Sequence, residues 1–222
     1  MSFKFTLKQE DFISDVKSNN LKRINILEGS VRSGKTYISL IAWILLVQMY
    51  DKGNNFLMVG KTITSLKRNC LTLLEDFLTT KYFNYSLSKK EATLFGRRIF
   101  LEGVNDSRAE HKIRGMTLQA AYCDELTLFT EDFFQMLLSR LSLEGSKLLA
   151  TTNPDSPTHW LKKGFIDRKN ELDLKIWKFK LDDNETIPLD IRESFKKEYT
   201  QTSLFENPNY SLKQRKQELA LE

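Results

Sequence analysis

Apolar residues recur along the chain in two alternating rhythms. Residues 23–28 (RINILE) form a short, largely apolar run that ends at Gly29, the pattern of a strand running into a turn. Residues 35–51 have the apolar density of a buried helix, and Lys52-Gly53-Asn54-Asn55 is a turn. Residues 56–60 (FLMVG) are almost wholly apolar, as expected for a strand in a sheet covered on both faces. From 66 to 77, apolar side chains fall at Leu66, Cys70, Leu73, Leu74 and Phe77, which is helical spacing. Residues 84–104 differ. Tyr85-Ser86-Leu87, Ala92-Thr93-Leu94-Phe95 and Ile99-Phe100-Leu101, separated by charged or glycine-bearing turns, predict a small antiparallel meander inserted into the pattern. Residues 119–123 and 147–151 predict core strands, 133–141 a helix, 160–167 a short helix, and 174–179, alternating apolar and basic, an edge strand.

After residue 181 the character changes. Residues 182–185 are a polar loop ending near Pro188, and two charged helices are expected around 190–199 and 210–221. Strands alternating with helices predict a three-layer α/β fold with a mainly parallel sheet. The expected organisation is a core over 1–181 and a small C-terminal lid subdomain over 182–222. No internal repeat or low-complexity tract interrupts it. Strand order is not readable from the pattern.

Composition narrows the class. With 41% apolar and 28% charged residues, the 222-residue chain reads as soluble and globular. Its 34 basic residues against 29 acids fit a phosphate-bearing partner without requiring one. The most apolar run, residues 37–47, falls short of the roughly 20 residues that a bilayer span needs, and the first nine residues hold no signal-peptide stretch. Cys70 and Cys123 form no C-x-x-C, and His111 and His159 lie near neither, so no disulfide framework or zinc site is expected.

Three motifs carry chemistry. Gly29-Ser30-Val31-Arg32-Ser33-Gly34-Lys35-Thr36 is a complete G-x-x-x-x-G-K-[ST], preceded by a predicted strand and followed by a predicted helix. Its glycines let the backbone wrap phosphates, and the helix N-terminus adds free N–H groups and partial positive charge. Lys35 would reach the β- and γ-phosphates of ATP, and the Thr36 hydroxyl would hold Mg²⁺. Next, the strand Ala120-Ala121-Tyr122-Cys123 ends in Asp124-Glu125. Asp124 would position Mg²⁺, and Glu125 would orient and polarise the attacking water. Finally, Leu148-Leu149-Ala150-Thr151-Thr152-Asn153-Pro154 puts small polar residues at a strand end, where they can report hydrolysis to a neighbouring element. Arg114 and Arg32 both compete for the role of a cation on the transferring phosphoryl group. Gln9 precedes the first strand, where its amide could read adenine.

Taken in order, these features resemble the ATPase domain of tailed-phage terminase large subunits, in particular the branch named for defective-prophage terminases. The matching residues are Gly29 to Thr36 with Arg32 inside the loop, and Val59-Gly60-Lys61-Thr62 followed by Ser65-Leu66. Lys112-Ile113-Arg114-Gly115-Met116-Thr117, Cys123-Asp124-Glu125, Thr151-Thr152-Asn153-Pro154 and then Asp183-Asn184 continue the match. The resemblance covers nearly the whole chain. It implies a P-loop NTPase of the RecA-like class, with an additional strand and a catalytic glutamate. It implies that Gln9 senses adenine, that Thr151, Thr152 and Asn153 form a coupling motif, and that Arg114 reaches a neighbouring subunit's nucleotide. Residues 183–222 become a lid.

The implied partners are double-stranded DNA, a portal protein, a terminase small subunit and further copies of the chain in a pentameric ring. The implied location is the host cytoplasm, transiently docked at the procapsid portal, with no membrane. Family members also carry an RNase H-like nuclease domain. None is expected within these residues, so no DNA cleavage is expected of this chain alone, and Asp182-Asp183 reads as a solvated loop. The alternatives are a helicase or recombinase-like ATPase, a small-molecule kinase and a non-enzymatic nucleotide switch. Glu125 argues against the last two.

Overall fold

The computed structural model describes residues 5–105, 109–184 and 186–199. The helix expected at 210–221 lies outside them. The first element, α1 (Leu7–Lys17), is absent from the sequence expectations. It opens on a capping box in which the Thr6 hydroxyl accepts from Gln9 N–H and the Gln9 side chain accepts from Thr6 N–H. β1 (Ile24–Gly29), α2 (Lys35–Gln48) and β2 (Phe56–Gly60) follow close to their predicted places.

The single helix expected at 66–77 is instead α3 (Ile63–Leu66), a π-helical turn (Lys67–Leu71) and α4 (Thr72–Phe77), run together. Next come β3 (Phe83–Ser86), β4 (Glu91–Leu94), β5 (Arg97–Gly103) and α5 (Ala109–Ile113). They are followed by β6 (Ala120–Cys123), α6 (Glu131–Arg140) and β7 (Lys147–Thr152). The short helix expected at 160–167 is a π turn at Lys162–Ile166, before β8 (Leu174–Phe179) and α7 (Leu189–Tyr199).

One eight-stranded sheet joins all the strands in the order β3-β4-β5-β2-β6-β7-β1-β8. Every pairing from β5 to β8 is parallel. The meander is therefore less separate than its sequence suggests. β3, β4 and β5 do pair antiparallel, but β5 is also a parallel neighbour of β2, so the hairpin extends the main sheet. β8 is an edge strand, as its alternation predicts.

Successive strand residues point to opposite faces, and here both faces are buried. Leu27, Phe56, Met58, Tyr122 and Leu149 join one apolar cluster with α1, α2 and α4. Ile26, Leu57, Val59, Ala121, Cys123, Leu148 and Ala150 join another with α5 and α6. The result is the expected three-layer α/β sandwich. Trp43 on α2 is fully buried and packs edge-on to Phe56 at 6.2 Å and against Tyr122 at 5.9 Å, which fixes α2 to the central strands. Because β6, β7 and β1 are adjacent and parallel, their carboxyl ends open at one end of the sheet, where α/β folds bind ligands.

Candidate nucleotide site

The loop between β1 and α2 follows from local geometry. A Cβ on Gly29 would lie 2.1 Å from the Phe179 carbonyl oxygen of β8, so only glycine allows the two strands to close here. Gly34 adopts φ +82°, the left-handed region suited to glycine, and supplies no side-chain cap to α2. The first N–H groups of α2 are therefore left for another acceptor. The Ser30 and Ser33 hydroxyls are buried with no hydrogen-bond partner among the described residues. Open helix amides and orphaned hydroxyls fit a phosphate chain. A cavity of about 320 Å³ lies beside them, lined by Arg32 to Tyr37 with Asn184 and Ile187.

Lys35 is buried, and its Nζ donates to Asn153 Oδ1 at 2.6 Å and to the Ser30 carbonyl at 3.1 Å. Burial pulls its pKa down to about 8, against the opposing fields of Glu125 and Asp124. Asp124 is 3% exposed. Its Oδ2 accepts from Asn69 Nδ2 at 2.9 Å, and its Oδ1 accepts from the Thr151 hydroxyl at 3.2 Å. Burial pushes its carboxyl up, and the Asn69 and Thr151 hydrogen bonds and Lys35 oppose that rise. Glu125 has φ +55°, an unusual conformation for this residue type. Its N–H donates to the Thr151 hydroxyl oxygen at 3.1 Å. Its carboxyl is raised by burial and then by Asp124, against Lys35, Arg68 and Lys61.

The end of β7 thus ties the site together. Thr151 bridges the Asp124 carboxylate and the Glu125 backbone. Thr152 Oγ1 bonds Thr127 Oγ1 at 3.3 Å, and Asn153 holds Lys35. Thr36 follows Lys35 in the first turn of α2.

The other sequence candidates are distributed unevenly. Gln9 is brought to the loop: its Nε2 would touch a Cβ on Gly34 at 3.1 Å, while its Oε1 accepts from Thr6 N–H at 3.1 Å. Arg32, at φ +63°, meets Asn184 and α7. Its carbonyl accepts from Asn184 Nδ2 at 2.7 Å, and its guanidinium lies 4.5 Å over the Phe195 ring of α7. Arg114 is exposed and pairs with Glu110 at 2.9 Å, while its carbonyl accepts from Arg140. Arg140 ends α6, a ten-residue helix whose first residues follow Glu125 closely in the chain. At about 1.5 Å per residue the helix spans roughly 15 Å. The Arg140 carbonyl also accepts from Leu118 N–H just ahead of β6, whereas the acidic pair follows the other end of that strand, so the Arg114 backbone is held at the end of β6 away from the pair. Asn69 is a contact that the sequence reading missed.

A phosphate loop on β1–α2, with an acidic pair at the end of β6 and β7 inserted between them, defines a P-loop NTPase of the additional-strand class. The chain belongs to the phage terminase large subunit family, whose model matches residues 21–211.

Among solved structures, the chain is similar to the large terminase of a thermophilic bacteriophage. That match has 27% identity and a TM-score of 0.82, over 91% of this chain and 52% of that one. The same phage enzyme in complex with ATP-gamma-S matches at 27% identity and a TM-score of 0.78, over 90% and 51% of the two chains. The HK97 bacteriophage large terminase shares the fold, with 17% identity and a TM-score of 0.62, over 99% of this chain and 48% of that one. The chain spans about half the length of these relatives. No curated protein matches the chain.

Proposed function

We propose that this chain hydrolyses Mg-ATP at the β1–β6–β7 end of the sheet and acts as the motor part of a viral DNA-packaging terminase. The observation that carries the reading is the hydrogen-bonded set Lys35–Asn153 and Asn69–Asp124–Thr151–Glu125, assembled on three adjacent strand ends and the π turn beside them. The thermophilic phage enzyme matched above was solved with an ATP analogue, which supports a nucleotide in the corresponding loop.

In this reading the α2 amides, Ser30, Ser33 and Gly34 cradle the phosphates. Lys35 exchanges Asn153 for the β- and γ-phosphate oxygens. Gln9 lies close enough to the loop to meet the adenine end. Thr36 and Asp124 would hold Mg²⁺, which supplies neutralisation of the phosphate charge when bound. Glu125 orients the attacking water. Hydrolysis frees Lys35 to return to Asn153, so Thr151 to Asn153 pass the change of state to Glu125 and to Thr127. Arg114, remote from the acidic pair of its own chain, acts on the nucleotide of a neighbouring copy in a ring. Arg32 links the loop to a lid over 182–222.

The substrate moved is double-stranded DNA, the destination a procapsid, and the partners a portal protein and a terminase small subunit. The site of action is the host cytoplasm. No described helix is long and apolar enough to cross a membrane. Family membership favours this motor over a helicase, recombinase or small-molecule kinase.

Titration with a fluorescent ATP analogue tests the site. Lys35→Ala should weaken binding by roughly 10- to 100-fold, the usual consequence of losing one charge-assisted hydrogen bond. Unchanged affinity would refute the phosphate loop.

A further inference from the structure

The segment joining α3 to α4 is not a regular helix. Over Lys67–Leu71 the backbone opens into a π turn, closed by Thr72 N–H donating to the Lys67 carbonyl. Such turns are rare, weaken the local ladder and recur at functional sites. This one has a definite geometric effect. Asn69 and Cys70 are consecutive within it. In the wider turn both meet the end of β6. Cys70 is fully buried, and burial and then the neighbouring Asp124 push its thiol up. Asn69 Nδ2 donates to Asp124 Oδ2 at 2.9 Å.

The orientation of the Asn69 amide is set from its other side, where Oδ1 accepts from Arg68 Nε at 3.2 Å. The donor is thereby turned towards the carboxylate. The second carboxylate oxygen is held independently by the Thr151 hydroxyl. Asp124 is thus gripped from two elements, β7 and the π turn, and its rotation about the side-chain bonds is blocked. A carboxylate that binds a divalent cation gains from this fixing, because the partners of a metal ligand set its orientation.

We propose that the π turn is a built part of the nucleotide site, with Asn69 the positioning residue that fixes Asp124 for the divalent cation. The inference rests on the Mg-ATP reading above.

Mn²⁺ binding to the full chain in the presence of a non-hydrolysable ATP analogue, followed by electron paramagnetic resonance, tests it. Asn69→Ala removes the donor, and Asn69→Leu removes it while keeping the branched outline of the side chain. Both should raise the Mn²⁺ dissociation constant by about tenfold or more, as loss of an outer-shell partner typically does. Binding of the analogue without metal should stay within about twofold of wild type, because the side-chain hydrogen bonds of Asn69 go to Arg68 and Asp124 and not to the phosphate loop. If the alanine variant melts early, the leucine variant carries the test. Unchanged Mn²⁺ affinity in a folded variant overturns the inference and leaves the nucleotide reading standing. Absence of analogue-dependent Mn²⁺ binding in the wild type overturns both.

Discussion

Thr151 offers the sharpest quantitative handle on the site. It is fully buried, and its hydroxyl donates to Asp124 Oδ1 at 3.2 Å while accepting from Glu125 N–H at 3.1 Å. Thr151→Val keeps the branched shape and removes both bonds. A hydrogen bond to a charged group contributes about 1.5–3 kcal/mol, and a buried N–H left without an acceptor costs about 1–3 kcal/mol. The higher strand preference of valine returns less than about 1 kcal/mol. The expected net loss is therefore about 1.5–6 kcal/mol. The adjacent Thr152 is an internal control. It is equally buried, but its hydroxyl meets only neutral partners, Thr127 Oγ1 at 3.3 Å and the Asn153 carbonyl at 3.2 Å. Thr152→Val should cost about 1 kcal/mol. Urea unfolding, with slopes compared to confirm a common unfolded state, measures both. Equal losses, or a larger loss at Thr152, would show that Thr151 does not brace the acidic pair.

Gly29→Ala forces a methyl group to within 2.1 Å of a β8 carbonyl oxygen; overpacking of this kind should cost about 1–3 kcal/mol, read as a lower melting temperature together with weaker ATP-analogue binding. A melting temperature equal to wild type would contradict the close packing of β1 on β8. Arg114→Ala breaks only an exposed ion pair with Glu110, so stability should change by less than about 1 kcal/mol, while turnover in assembled complexes should fall by about 10³-fold if the arginine works across subunits. Mixing Arg114→Ala with Glu125→Gln under assembly conditions should then restore part of the activity, and full activity of Arg114→Ala alone would transfer the role to Arg32.

The layers of the fold were legible because the strands are buried on both faces and read as apolar runs. FLMVG and AAYC became β2 and β6 with little adjustment. The phosphate loop was legible because glycine spacing and a following helix are both local features. Strand order was not, since parallel pairing joins residues far apart in sequence; β1 between β7 and β8 follows from packing alone. The hairpin's attachment through β5 to β2 was missed for the same reason. α1 is harder to read although Thr6 and Gln9 have the spacing of a capping box. Only Phe12, Ile13 and Val16 give it a buried apolar stripe, and its fourth buried residue is the polar Gln9. Asn69 was invisible for a different reason. A 3.6-residue period assumes a regular helix, and the π turn shifts the register so that a polar residue faces the core end of β6.

On the proposed reading, Glu125 performs the water-activating step at a site that binds Mg-ATP. Single-turnover release of phosphate from bound ATP, compared between wild type and Glu125→Gln, tests it most directly. Glutamine keeps the side-chain size and leaves the backbone bond from position 125 to Thr151 in place. Mg-ATP binding should stay near normal while hydrolysis slows by about 100-fold or more, the range that general-base catalysis supplies. Near wild-type phosphate release by Glu125→Gln would contradict it.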